Sequence, residues 1–466
     1  MIEFDHLEIA SLIREDGFQC SCGKTHRAGI RALKIGDGVL ASLPEVLKTL
    51  GSAKPMVIAG PHTFPAAGQK VCGILEKNGI PYSLLVLEQN GPDKLQPDEE
   101  AVREAVEKID PSCDLVVAVG SGSVNDVCKA ASTKLRLPQL TVGTAPSMDG
   151  YVSASASLEL RRTKSTVMTN APAGVILDTS LIEKAPMRLL WAGVGDIAAK
   201  VTALCEWKIV SLILNEDYCG TIAGIVRRSI DRTFEGAEKL LNRDPEAVTT
   251  VAEGLVLSGL CMNFAGNSRP ASGLEHYFSH CWEMMRLAKG EPYDLHGIYV
   301  GIGTLIELKI MEKLIGITPT REQAEKAAAR FDPETWKNRL FRLFGDTAEG
   351  FLKLEEKTQK NAFEGRMKRV DAIIENWDAI RSLMEEAVEE GKRIEPAMVR
   401  LGMPVRPSAV GFSAAEVRDA FIVSRDVRDK YLLSSLIWDI GLTDEFASWL
   451  ECEYADQPDK QMKKGE

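Results

Sequence analysis

Apolar residues change their rhythm partway along this chain. From about residue 28 to 180, short apolar runs alternate with amphipathic stretches. Pro-Met-Val-Ile-Ala at Pro55–Ala59 stops at Gly60-Pro61 and predicts a strand. The amphipathic stretch after it runs through Glu76 to Asn78-Gly79, a pair that suits a helix C-terminus because both residues tolerate left-handed backbone. Residues 82–87 predict a second strand, and 98–108 a polar helix whose leading acids complement the helix dipole. Residues 115–119 predict a third strand and 140–142 a fourth. Such alternation specifies a parallel α/β sheet. Past Pro186 the strand-like runs give way to apolar spacings of three and four, over 198–214, 247–264, 274–287, 370–390 and 414–438. The expected architecture is an α/β domain over residues 1–185, with a parallel Rossmann-like sheet, followed by an all-helical domain over 186–466. Residues 455–466 are charged and aperiodic, as a frayed end would be.

Composition narrows the function. With 466 residues, 45% apolar and 26% charged, the chain reads as an ordinary soluble protein of at least two domains. A formal charge of −11 argues against a nucleic-acid partner or an anionic membrane surface. An anionic ligand would need a local positive cluster. The start, Met1-Ile-Glu-Phe-Asp, lacks the basic and apolar regions of a signal peptide, and the apolar run 254–266 is too short to span a bilayer. A cytoplasmic protein is the expectation. Ten cysteines in this length are not a disulfide framework. Cys20-Ser-Cys22-Gly-Lys-Thr-His26 reads in two ways: half of a metal knuckle, though no second cysteine pair at zinc spacing follows, or small buried groups in an early strand. Cys128, Cys205, Cys219 and Cys261 sit among apolar residues and read as core.

Histidine is scarce and clustered. Three of the six fall between residues 276 and 296: His276 and His280, which share a helix face, and His296 beyond the break at Gly290-Glu-Pro292. Imidazoles with a distant carboxylate suit a first-row metal with an open position, and a satisfied core pair is the alternative. The third strand runs into Gly120-Ser-Gly122-Ser123-Val124-Asn125-Asp126, where small residues let backbone N–H groups approach a phosphate; a tight turn capped by Ser123 would look the same. Thr144-Ala145-Pro146-Ser147-Met-Asp149 through Ser153 offers hydroxyls and one carboxylate, either to a ligand or to solvent. Asp196 in Gly-Val-Gly-Asp-Ile-Ala-Ala-Lys200 is a helix cap or an oxygen ligand. Arg269, just before the histidine helix, is an anion donor or one half of a salt bridge.

These stretches, with Leu295-His-Gly297 and the late Ser424-Arg-Asp-Val-Arg-Asp-Lys-Tyr431, follow one another in an order that resembles the metal-dependent polyol dehydrogenase superfamily. That superfamily includes iron-type alcohol dehydrogenases and dehydroquinate synthase, and the resemblance is greatest to its bacterial sn-glycerol-1-phosphate dehydrogenases, over about residues 28 to 447. The resemblance implies a divalent metal (zinc, with nickel as runner-up) on Asp196, His276 and His296, with His280 turned to the substrate and Asp149 on its hydroxyls. It implies NAD or NADP against Gly120, Gly122, Ser123, Val124, Asn125, Asp126, Thr144, Ala145, Pro146, Ser147 and Ser153. Arg269 is expected to hold the substrate phosphate. The implied reaction reduces dihydroxyacetone phosphate to sn-glycerol 1-phosphate in a homo-oligomeric enzyme. A plain polyol dehydrogenase, a dehydroquinate-synthase-like cyclase and a catalytically silent ligand sensor are the alternatives. Two features depart from the pattern. Gly60-Pro61-His62 lacks the acid that would reject a 2′-phosphate, which leaves NAD against NADP open. The Cys-x-Cys piece and the helical region around 333–397 have no clear counterpart in the family; the latter is expected to shape the substrate entrance or an oligomer contact.

Overall fold

The computed structural model describes residues 9–91, 95–160 and 163–455; the first five residues and all of the tail but Ala455 lie outside that range. A short antiparallel pair, β1 (Phe18–Gln19) and β2 (Thr25–His26), opens the chain. The central sheet then draws on β3 (Ala32–Gly36), β4 (Pro55–Ala59), β5 (Ser83–Val86), β6 (Leu115–Gly120), β7 (Gln139–Gly143) and β10 (Gly174–Asp178). Between the last two lies an antiparallel hairpin, β8 (Ser155–Leu160) and β9 (Thr163–Met168). The sheet order is β3-β10-β7-β6-β4-β5, parallel throughout. Every residue of β4, β6, β7 and β10 is buried, as expected of parallel strands covered on both faces. The parallel α/β expectation is therefore met with two more strands than the apolar runs predict. β3 is an edge strand with Lys34 at its centre, so its apolar signal is short. The hairpin was not foreseen at all: its Ser- and Thr-rich alternation reads as polar loop. The helix ahead of Asn78-Gly79 ends where expected, with Gly79 at φ +66° and its N–H on the Glu76 carbonyl at 3.0 Å.

From Thr179 onward the chain is helical, again as expected, but two segments are broken. Residues 370–390 fall in two helices, Phe363–Glu375 and Trp377–Gly391, because the side-chain amide of Asn376 competes for the Ala372 carbonyl. Residues 414–438 divide into Ala414–Val423 and Leu433–Asp439 around a polar turn. The apolar run 254–266 is the end of a longer helix, Pro245–Ala265, which is long and apolar enough to cross a membrane. Here 72% of its most apolar stretch is buried inside the protein. Leu12, Ala28 and Ile30, ahead of the sheet, pack into the helical core.

Three helices meet almost backbone to backbone. On the helix Met187–Ala198, a Cβ at Gly195 would lie 2.1 Å from the Gly297 carbonyl oxygen. On the helix His296–Ile315, a Cβ at Gly297 would lie 2.0 Å from the Ala192 oxygen, and one at Gly303 would lie 2.4 Å from that of Glu275. Glu275 belongs to the third helix, Leu274–Lys289. Since the obstructing atoms are backbone, no rotamer change relieves them. Gly297→Ala should therefore lower the unfolding free energy by about 1–3 kcal/mol or more, measured by urea denaturation.

Candidate active site

Each of those helices brings one part of a polar cluster. Asp196, on the first, is almost fully buried. Its Oδ2 accepts the Asp149 backbone N–H at 2.8 Å, and its Oδ1 lies 2.8 Å from Lys200 Nζ. Lys200 also reaches Asp149 Oδ2 at 2.8 Å and the Ala271 carbonyl at 3.0 Å. Burial works against a charge on Lys200, but the Asp149 and Asp196 carboxylates outweigh it and hold the ammonium above its usual range. Burial likewise opposes ionisation of Asp196; Lys200 and His276 overcome it and keep the carboxylate charged.

The histidines complete the cluster. His276 Nε2 stands 3.5 Å from Asp196 Oδ1, close to the roughly 3.4 Å that separates two ligands on one tetrahedral ion with bonds near 2.1 Å. The His276 ring lies 5.3 Å from that of His296, and His280 stacks on His296 at 5.2 Å. Both of the first two imidazoles are braced from behind. His276 Nδ1 donates to Glu275 Oε1 at 2.8 Å, and His296 Nδ1 to Glu283 Oε1 at 2.7 Å, with Ser279 Oγ at 2.9 Å. A carboxylate only accepts, so the proton sits on Nδ1 and the Nε2 lone pair of each ring is free for a cation. The donor set fits a divalent metal. The donor atoms here that all fall within 4.8 Å of one another are those of His280, Glu283 and His296. Glu283 Oε1 accepts from His296 and Ser279 Oγ while its Oε2 pairs with Lys164, so it orients the His296 ring. His280 Nδ1 is buried and has no hydrogen-bond partner among the described residues. Burial, then Arg428 and His296, hold His280 well below the ordinary histidine range, so it is neutral.

The expected cofactor residues follow the carboxyl ends of β6 and β7, and β6 borders the point between it and β4 where the strand order reverses, the usual crevice for a dinucleotide. Ser121 caps the helix Gly122–Leu135, and Val124 folds back so closely that a Cβ at Gly120 would meet it at 2.5 Å. Gly122 is open by comparison, with only Met148 nearby at 3.6 Å. Ser147 Oγ lies 2.5 Å from Ser121 Oγ, and the Thr144 N–H bonds the Gly120 carbonyl. Ala145 and Pro146 line the same turn: the Ala145 carbonyl accepts from Tyr151 Oη, and the Pro146 oxygen abuts Gly193. The Asn125 and Asp126 side chains face inward instead. Asn125 Oδ1 accepts from Gln139 and Thr141, while Asp126 pairs with Lys129 and accepts the Ser157 N–H. Ser123 is half-buried in the first turn of the helix, and Ser153 bonds the Gly150 and Ser155 carbonyls.

Arg269, expected at the phosphate, is held in an ion pair. Its Nε and Nη2 grip Glu216 at 2.8 and 2.7 Å, and Nη1 donates to the Tyr431 carbonyl at 2.6 Å. Three of its five N–H donors are thus committed, and its charge is paired with Glu216. The nearby cation with a spare donor is Arg428, in the polar turn between two late helices; its Nη1 meets Thr166 of the hairpin, and its buried Nη2 has no partner among the described residues. Helices of the 333–397 region support that turn, since Leu340, Phe344, Ile373 and Ile380 join the helical core and Arg369 binds both oxygens of Asp439 at 2.7 and 2.9 Å. Sequence reasoning missed Lys200, Glu275, Glu283 and Arg428. Glu283 was within reach: it stands three residues past His280 and seven past His276, on the same helix face.

The iron-containing alcohol dehydrogenase family model matches residues 34–186. Among solved structures, glycerol dehydrogenase from Schizosaccharomyces pombe shares the fold, with a TM-score of 0.57 at 14% identity over 91% of each chain. The glycerol-1-phosphate dehydrogenase (NAD(P)+) of Bacillus licheniformis is 28% identical over 437 residues, 93% of this chain and 96% of its own. That of Pyrococcus furiosus is 34% identical over 282 residues, 59% of this chain and 77% of its own. With this likeness at that coverage, the chain belongs to the glycerol-1-phosphate dehydrogenase family.

Proposed function

We propose that this protein reduces dihydroxyacetone phosphate to sn-glycerol 1-phosphate, reversibly, with NADH or NADPH and a divalent metal held by Asp196, His276 and His296. The observation that carries the assignment is the pair of buried carboxylates, Glu275 and Glu283, each fixing one histidine by Nδ1, with His276 Nε2 set 3.5 Å from Asp196 Oδ1. When bound, the metal polarises the ketone and the nicotinamide supplies hydride. Zinc suits one carboxylate with two imidazoles, and nickel is the runner-up. Lys200 bridges Asp149 and Asp196 and keeps both in place, so that Asp149 can accept from a substrate hydroxyl. Neutral His280 faces the same space and can relay the proton that the reduced oxygen takes up. The absence of an acid after β4 favours use of both cofactors, in keeping with the naming of the relatives. All ten cysteines are free of disulfides, which supports a reducing, cytoplasmic setting.

Arg428 takes the phosphate-binding part first given to Arg269. Its unpartnered Nη2 and its electrostatic reach to His280 support this.

The decisive assay follows NADH and NADPH loss with dihydroxyacetone phosphate, dihydroxyacetone and a cyclase substrate. Stoichiometric oxidation with the phosphorylated ketone is expected, and His296→Ala should abolish both metal retention and turnover. Full activity of that variant in chelator would overturn the assignment. Glu275→Gln should weaken metal binding about 10–100-fold while leaving the fold intact, as read by metal titration and circular dichroism. Arg428→Gln should raise the KM for dihydroxyacetone phosphate about 10–100-fold, the loss expected for one charged hydrogen bond; dihydroxyacetone kinetics should not move.

A further inference from the structure

We infer that Cys20, Cys22, His26 and Cys219 form a second, structural zinc site that shares no ligand with the catalytic cluster. Cys20 Sγ lies 3.5 Å from Cys219 Sγ, Cys22 Sγ 3.3 Å from His26 Nε2, and Cys219 Sγ 3.6 Å from the same nitrogen. All four donor atoms fall within 4.8 Å of one another. Tetrahedral zinc with Zn–S near 2.3 Å and Zn–N near 2.05 Å sets its ligands about 3.8 Å apart for two sulfurs and about 3.6 Å for sulfur and nitrogen. The observed spacings match that cage.

The surrounding structure points the donors inward. Cys20, Cys22 and His26 sit on the tight turn of the β1–β2 pair, closed by Cys20 N–H to the Lys24 carbonyl at 3.0 Å and by Gly23 at φ +84°. His26 is buried, and its Nδ1 donates to the Phe264 carbonyl at 2.9 Å. A carbonyl only accepts, so the Nε2 lone pair is left facing the three sulfurs. Cys219 arrives from the far side as the residue capping the helix Gly220–Glu235, and its side chain makes no capping bond to that helix. Three thiolates and one zinc leave a net negative charge, and Lys24, paired with Asp217, stands beside it. Soft sulfur donors select zinc over the hard cations, and four protein ligands leave no open position, so the site is structural. It ties the amino-terminal segment to the loop whose Glu216 clamps Arg269.

The test uses the full chain carrying His296→Ala, which removes the catalytic metal from the count. About one tightly held zinc per chain is expected there, and cobalt substitution should give a thiolate-to-cobalt charge-transfer band that no oxygen-and-nitrogen site produces. Adding Cys22→Ser, at an exposed position that the fold tolerates, should reduce both to near zero. In the zinc-loaded wild type, Cys20, Cys22 and Cys219 should resist alkylation until a strong chelator is added. Zinc content and cobalt spectrum unchanged by Cys22→Ser would overturn the inference, as would a Cys20–Cys219 disulfide in the freshly purified protein by mass spectrometry. Either result leaves the catalytic proposal standing.

Discussion

The absence of side chains at Gly195, Gly297 and Gly303 is the constraint from which the active centre follows. Helices normally pack with axes 8–10 Å apart, separated by the side chains between them. Here a methyl group would overlap a neighbouring carbonyl at each of these positions. Asp196 is next in sequence to Gly195, His296 precedes Gly297, and Glu275 lies against Gly303. Close approach of three backbones therefore converts separate residues into one cluster, and it does so before any ion is considered.

That cluster concentrates charge in a setting that resists it. Lys200, Asp196, Glu275 and Glu283 are all nearly inaccessible to water, and each charge survives only because a partner of opposite sign or a histidine N–H is in contact. Acids without such partners lose their charge. Glu307 is pushed well above the carboxylate range by burial and by Glu206 and Glu275, and Glu206 rises to about 7 for the same reasons. Glu275 alone of the three is drawn down, to about 2, because His276 offsets its burial. The buried acids are thus pushed up or drawn down by what each one touches.

Much of this was legible in the chain. Burial on both faces made β4 and β6 continuous apolar runs, and the crowding of scarce histidines marked the buried polar cluster. What stayed hidden was hidden by distance. Arg269 was recognisable as an anion donor, but its anion, Glu216, comes from a loop that local spacing cannot associate with it. Cys20 and Cys22 looked like half of a site because the third sulfur lies 199 positions from Cys20 and sits among apolar residues that read as core. The hairpin went unseen because its strands are only half-buried and alternate apolar with Ser, Thr and charged residues, which leaves no apolar run.

That hairpin has a mechanical consequence. Lys164 on β9 reaches across from the sheet half to Glu283, 3.2 Å away, and Glu283 is the acid that orients His296. One carboxylate thus joins the hairpin to the helix Leu274–Lys289 and orients the His296 ring. Loosening the grip of Lys164 on that carboxylate would therefore be felt at the His296 ring, although the lysine never touches it.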